Sequence, residues 1–275
     1  MIIDFHTHIF PDNVAIKAIP LLEQKANIKA YTNGTLADLS KKTKEAGIDY
    51  SLVLPVATSA KQTKSINDFA IMINSQNINV ISFGGMHPDY EDYETELIRL
   101  KDNNIKGIKL HPQYQNSFID DEKYINIIDK AFELNLIVII HAGIDIGIEG
   151  ETKATSNRII NMWNSLKHRG ILVLAHMGSW KMWDDVYDNI LGKEFYIDTA
   201  FSLDNVIQGN ESLELMKEEE IIRFINKHGS DKILFATDSP WAEQKKYLDF
   251  INNLEIDEND KKNILGLNAK RLLNI

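Results

Sequence analysis

The sequence predicts an α/β protein, a single (β/α)8 (TIM) barrel over residues 1–275 with a metal site at the C-terminal ends of its strands. Three observations predict it. Eight short apolar runs recur along the chain. Segments with apolar positions at helical spacing separate most of them. Six of the eight histidines stand at or just past the end of a run.

The runs, in order, are "MIIDFHTH", "YSLVLPVA", "VISFGGMH", "IKGIKLH", "LIVIIHAG", "ILVLAHMG", "FYIDTA" and "ILFATDS". They are short, apolar and rich in β-branched residues, as buried parallel strands are. Between them lie "TLADLSKKTKEAG", "YETELIRLKDNN", "DEKYINIIDKAFELN" and "ESLELMKEEEIIRFINKHG", each read as a helical pattern. Several close on Gly or Asn, as helix C-termini do. Eight strand–helix units in one chain imply a closed barrel, with an open doubly wound sheet as the alternative. No Gly-rich phosphate fingerprint follows the first run, so a dinucleotide fold is not supported. The polar stretch "GIDIGIEGETKATSN" after the fifth run predicts a long loop near the site.

Composition narrows the function classes. The chain has 275 residues, no cysteine and a net charge of −10. Thiolate metal sites, disulfides and a Cys nucleophile are excluded. The acidic field argues against nucleic-acid binding. No apolar stretch approaches the roughly 18 residues of a membrane span, and no signal peptide is read at the start. A cytoplasmic enzyme with a small-molecule substrate, neither nucleic acid nor membrane as partner, is the expectation.

The first run raises the chemistry. Side chains at i and i+2 of a strand share a face, so His6 and His8 project together above Asp4. Two same-face imidazoles can ligate one metal ion. His87, His111, His141 and His176 end later runs in the same way, and Asp238 ends the eighth. Imidazoles with a carboxylate suit Zn2+, with Mn2+ or Fe2+ as alternatives. His168 and His228 sit elsewhere, before Gly170 and Gly229. They are expected to be cations at the negative ends of helix dipoles.

The elements "DFHTH", "IIHAG", "LAHMG" and "FATDSPW", in this order, together with the closing "ILGLNAKRLLNI", resemble the amidohydrolase superfamily. They resemble in particular its amidohydrolase-related branch, which includes aminocarboxymuconate semialdehyde decarboxylase. The resemblance implies the barrel. It implies that His6, His8 and His141 bind a divalent metal, with Asp238 as a further ligand or the base beside it. It implies that His176 faces the reacting group or binds a second metal. Barrels of this branch often dimerise, so a homodimer is a candidate assembly.

The fourth run places Gly107, Lys109 and His111 on one face, with Ile108 and Leu110 on the other. Lys109 should therefore point inward. There it contacts a substrate carboxylate as an ammonium, or bridges two metals once carboxylated. One metal and an unmodified Lys109 are expected. His111 and Trp241 join Lys109 as candidate substrate contacts, although His87 and His111 precede prolines and can also serve turns.

This set predicts a metal-dependent hydrolase using metal-activated water on a small, carboxylate-bearing ester, lactone or amide, with Asp238 and His176 as catalytic groups. The same groups allow decarboxylation of a small unsaturated or aromatic acid. A TatD-type nuclease is a further alternative. That family carries a glutamate on the fourth strand, where this chain has Lys109.

Overall fold

The computed structural model describes residues 1–76 and 78–275. The chain forms two compact units. The first comprises Met1–Val53, Ile78–Ile81 and Leu191–Ile275, and the second the remaining described residues between Leu54 and Ile190.

In the first unit the strand Ile3–Thr7 pairs in parallel with Tyr50–Val53, in the register Ile3↔Tyr50 and Asp4↔Ser51. Every residue of Ile3–Thr7 is buried. On its other side runs the segment after Ile233–Leu234: Phe5 N donates to Phe235 O and Asp238 N to His6 O, both at 2.8 Å. Ile233–Leu234 in turn pairs in parallel with Tyr196–Asp198. The connecting helix Leu36–Glu45 shows why such segments fold. Thr35 caps it by accepting from Asp38 N, Asp38 lies in its first turn and Lys42 and Lys44 in its last, and it buries Leu39 and Thr43.

In the second unit four parallel strands follow one another in chain order: Gly84–Gly85, Gly107–Leu110, Ile137–Ile140 and Leu172–Leu174. Neighbouring parallel strands need a crossover, and helices supply it. Tyr93–Asp102, Glu122–Glu133 and Ser156–Ser165 lie between successive strands. Glu122–Glu133 buries Tyr124, Ile127, Ile128, Ala131 and Phe132, a stripe of helical period. Gln115 ties three loops together. Its Oε1 accepts from His111 N and the Tyr124 hydroxyl, and its Nε2 donates to Ala57 O and Met86 O.

All eight predicted runs contain strands. The segment 211–229 departs from its predicted single helix. Residues Glu211–Leu213 instead form an antiparallel hairpin with Val206–Gln208, and the helix is Glu218–His228. The cause is the Gly209-Asn210 pair, with Gly209 at φ +60°, which closes a two-residue turn. Among the described residues no helix is long and apolar enough to cross a membrane.

His228 is not the expected cation. It is buried, Nδ1 accepts from Gly192 N at 3.1 Å, and Nε2 donates to Phe195 O at 3.0 Å. Burial lowers its pKa from 6.5 to about 4. Below pH 6.5 the unfolded imidazole takes up a proton that the folded one refuses until about pH 4. Stability therefore falls as pH drops through this window, by at most about 3 kcal/mol. His228→Gln preserves one acceptor and one donor and should flatten that decline; denaturant unfolding of both proteins between pH 7 and 4.5 checks it. His168 is exposed and pairs with Asp129 at 3.0 Å, a carboxylate partner rather than a helix end.

Candidate metal centre

In the first unit, His6 lies in the strand Ile3–Thr7 and His8 just past it. Beneath them Asp4 is fully buried. Its Oδ1 accepts from Thr237 N at 3.0 Å and His6 N at 3.3 Å, and its Oδ2 from Thr237 Oγ1 at 2.6 Å and Gln244 Nε2 at 2.8 Å. Burial pushes its pKa up to about 6, against the pull of these donors. One carboxylate thus holds the backbone just before both His6 and Asp238.

Asp238 has φ +68°, in the left-handed region. Asp tolerates that conformation better than most residues. Its Oδ1 lies 3.0 Å from His8 Nε2 and 3.3 Å from His6 Nε2, and the two imidazole nitrogens are 3.2 Å apart. The rings are inclined at 71°, so their lone pairs can converge on one point. Donors about 2.0–2.2 Å from one ion lie about 3.0–3.5 Å from each other, so the three atoms fit a shared divalent metal.

The sequence reading missed Asp198. This fully buried residue accepts from His6 Nδ1 at 2.9 Å. A carboxylate accepts only, so the proton sits on Nδ1 and the Nε2 lone pair faces His8 and Asp238. "FYIDTA" carries the signal, since Asp198 ends its strand. Asp198→Ala should weaken metal binding about 10–100-fold, as such supporting carboxylates do; competition with a chromogenic chelator measures it. His6→Ala/His8→Ala should leave a folded protein with no bound metal, by elemental analysis. Unchanged metal content in that variant removes the assignment.

The second unit gathers the other predicted histidines. His141 follows Ile137–Ile140, and His176 follows Leu172–Leu174 at φ +63°. His176 Nε2 and His141 Nδ1 share a hydrogen bond of 3.0 Å. The rings of His111 and His141 stack at 4.0 Å with 12° between planes. Asp145, another residue the sequence reading missed, places Oδ2 3.5 Å from His111 Nε2 and 3.8 Å from His141 Nε2. It comes from the predicted loop, and no strand-end signal marks it.

His111, His141 and Asp145 are close enough to suggest a second metal. Their geometry opposes one. Lone pairs of nearly parallel rings cannot converge at 2.0–2.1 Å on one ion. His111 Nδ1 also accepts from Tyr114 N at 3.3 Å, so its proton is on Nε2.

Lys109 is 1% exposed in the strand Gly107–Leu110, all four residues of which are buried. Trp241 is half-buried, and its main-chain N–H donates to Asp238 O at 2.9 Å. His87 serves a turn, with Nδ1 accepting from Asp89 N at 3.1 Å.

Comparison with curated proteins finds no match. Solved structures match over the full length. 5-Carboxyvanillate decarboxylase from Sphingomonas paucimobilis aligns at TM-score 0.70 and 14% identity, covering 100% of this chain and 99% of that one. Dihydroxybenzoic acid decarboxylase from Polaromonas sp., with bound manganese and the inhibitor 2-nitroresorcinol, aligns at 0.69 and 16%, covering 99% and 96%. A TIM-barrel protein of uncharacterised function from Bordetella bronchiseptica aligns at 0.74 and 15%, covering 99% and 98%. These likenesses show the fold, a (β/α)8 barrel, as the sequence predicts. The family model described as amidohydrolase matches residues 3–275, and the chain is an enzyme of that family.

Proposed function

We propose that this enzyme is a metal-dependent decarboxylase of a small aromatic carboxylic acid. The observation that carries the reading is the donor triad of His6 Nε2, His8 Nε2 and Asp238 Oδ1, spaced 3.0–3.3 Å apart with His6 fixed by Asp198. It is supported by the likeness to two decarboxylases of benzoic acids, one of them with manganese. Hydrolysis of an ester, lactone or amide draws on the same groups. The likeness sets decarboxylation ahead of it.

When bound, a divalent ion, zinc or manganese, supplies Lewis acidity toward the substrate's oxygens. His6, His8 and Asp238 would hold it. The bond between the ring carbon and the carboxylate breaks, its electron pair stays on the carbon, and CO2 leaves. Asp238 takes up a proton from solvent water and passes it to the carbon. His176 meets the substrate's polar group. Lys109, buried in an apolar strand, attracts an anionic substrate.

The test is a panel of hydroxylated benzoic acids given to metal-loaded protein, with CO2 release as the readout. Lactones and esters run in parallel. Chelator-sensitive CO2 release supports the proposal. Chelator-sensitive cleavage of the lactones or esters alone replaces it with hydrolysis.

A further inference from the structure

Gln244 opens the helix Gln244–Asn253 and is buried, where glutamine is seldom found. Its Nε2 donates to Asp4 Oδ2 at 2.8 Å and to Ser51 Oγ at 2.9 Å. Ser51 Oγ lies 2.7 Å from Thr43 Oγ1, and Thr43 Oγ1 donates to Leu39 O at 2.8 Å. The 3.5 Å from Thr43 Oγ1 to Gln244 Oε1 is too long to compete. Every proton in this row therefore has one direction. The Thr43 proton goes to Leu39 O, so the Ser51 proton goes to Thr43 Oγ1, and the two Gln244 protons go to Asp4 and Ser51. Gln244 thereby joins Asp4 to the helix Leu36–Glu45.

At the other end, Asp4 governs the turn that carries Asp238. Thr237 donates to it through both its N–H and its hydroxyl, and Ser239 N donates to Thr237 Oγ1 at 3.1 Å. The residues on either side of Asp238 are thus tied to Asp4, directly or through one oxygen. His6 N donates to the same carboxylate. Asp4 Oδ2 holds two side-chain donors, Thr237 Oγ1 and Gln244 Nε2. Without the second, a buried oxygen is left one donor short, and the carboxyl can turn about its Cβ–Cγ bond. The main chain at His6 and Thr237 then loses its fixed acceptor.

We propose that Gln244 is a positioning residue of the metal centre. It fixes Asp4, and Asp4 fixes His6 against Asp238. This rests on the assignment of His6, His8 and Asp238 as metal donors, and it extends their support to the first residue of a helix.

The experiment is competition for Zn2+ against a chromogenic chelator, on proteins shown to be folded by thermal unfolding. Gln244→Met keeps the length and removes both donors. Gln244→Asn keeps an amide that is too short to span Asp4 and Ser51. Each should bind Zn2+ about 10-fold more weakly, the low end for groups that orient metal ligands from behind. A residue serving stability alone would lower the melting temperature and leave the affinity as it was. Exchange of polarity supplies the rescue. Gln244→Glu sets carboxylate against carboxylate, and Asp4→Asn sets amide against amide, so each alone should weaken binding. In the double variant the amide at position 4 donates to the carboxylate at position 244 and to Thr237 Oγ1, while its oxygen keeps the N–H groups of Thr237 and His6. That protein should bind Zn2+ more tightly than either single variant. Unchanged affinity in the folded Gln244→Met and Gln244→Asn proteins overturns the proposal, as does a double variant no tighter than the single ones. Wild-type protein that binds no Zn2+ removes the metal centre and the proposal with it, whereas wild-type binding with unmoved variants removes the proposal alone.

Discussion

Asp238→Asn should lower turnover by about 10²-fold or more, the span expected on removing a general acid–base group. The substitution isolates the proton. Asn matches Asp in size and retains an oxygen at the position that lies 3.0 Å from His8 Nε2. Asn also tolerates the left-handed backbone seen at φ +68°. The hydrogen bond from Asp238 N to His6 O is made by the main chain and is unaffected. Metal content measured on the same sample separates the two roles of this residue. A metal-loaded variant with slow turnover identifies Asp238 as the proton carrier. Near-normal turnover with metal bound assigns the proton to another group.

Gly143→Ala should destabilise the protein by about 3–5 kcal/mol, the upper end for a single substitution. Gly143 has φ +89°, where an L-residue is strained. A Cβ there would lie 2.3 Å from Trp180 N and 2.5 Å from Trp180 O, both main-chain atoms with little room to retreat. The same contact carries Trp180 N donating to Ala142 O and Ile144 N donating to Trp180 O. Moving the two segments apart therefore breaks the bonds that join "HAG" to "HMGSW". His141 and His176 sit beside that junction, so activity should fall with stability. Chemical denaturation gives the first quantity, and turnover of the folded fraction gives the second.

The strands were legible because a buried strand must be apolar along its length and must stop where polar residues begin. "LIVIIHAG" and "ILVLAHMG" could hardly be anything else, and they hold Ile137–Ile140 and Leu172–Leu174. His6 and His8 were legible by the two-residue period of a strand, and Asp238 by its place at the end of a run. Asp198 was missed although it ends a run in the same manner, because only the pairing of distant segments shows that it faces His6. Asp145 lies in a loop, where no period constrains the side chain. His228 was misread for a related reason. Position in the sequence shows a helix end, whereas burial, which only the packed chain reveals, decides the charge. The hairpin at 206–213 was hidden by apolar spacing in 211–229 that also suits a helix; the Gly209-Asn210 turn overrides it.

The donor triad joins residues far apart in the chain: 192 positions separate His6 from Asp198, and 230 separate His8 from Asp238. During synthesis the two histidines leave the ribosome well before their carboxylates. At 5–20 residues per second the interval is about 10–50 s. A nascent chain in that interval holds an isolated His-x-His pair with neither its oxygen donor nor its tautomer fixed. On the proposed metal reading, capture of an ion by this triad is consequently a late event, because a chain released before residue 238 lacks Asp238.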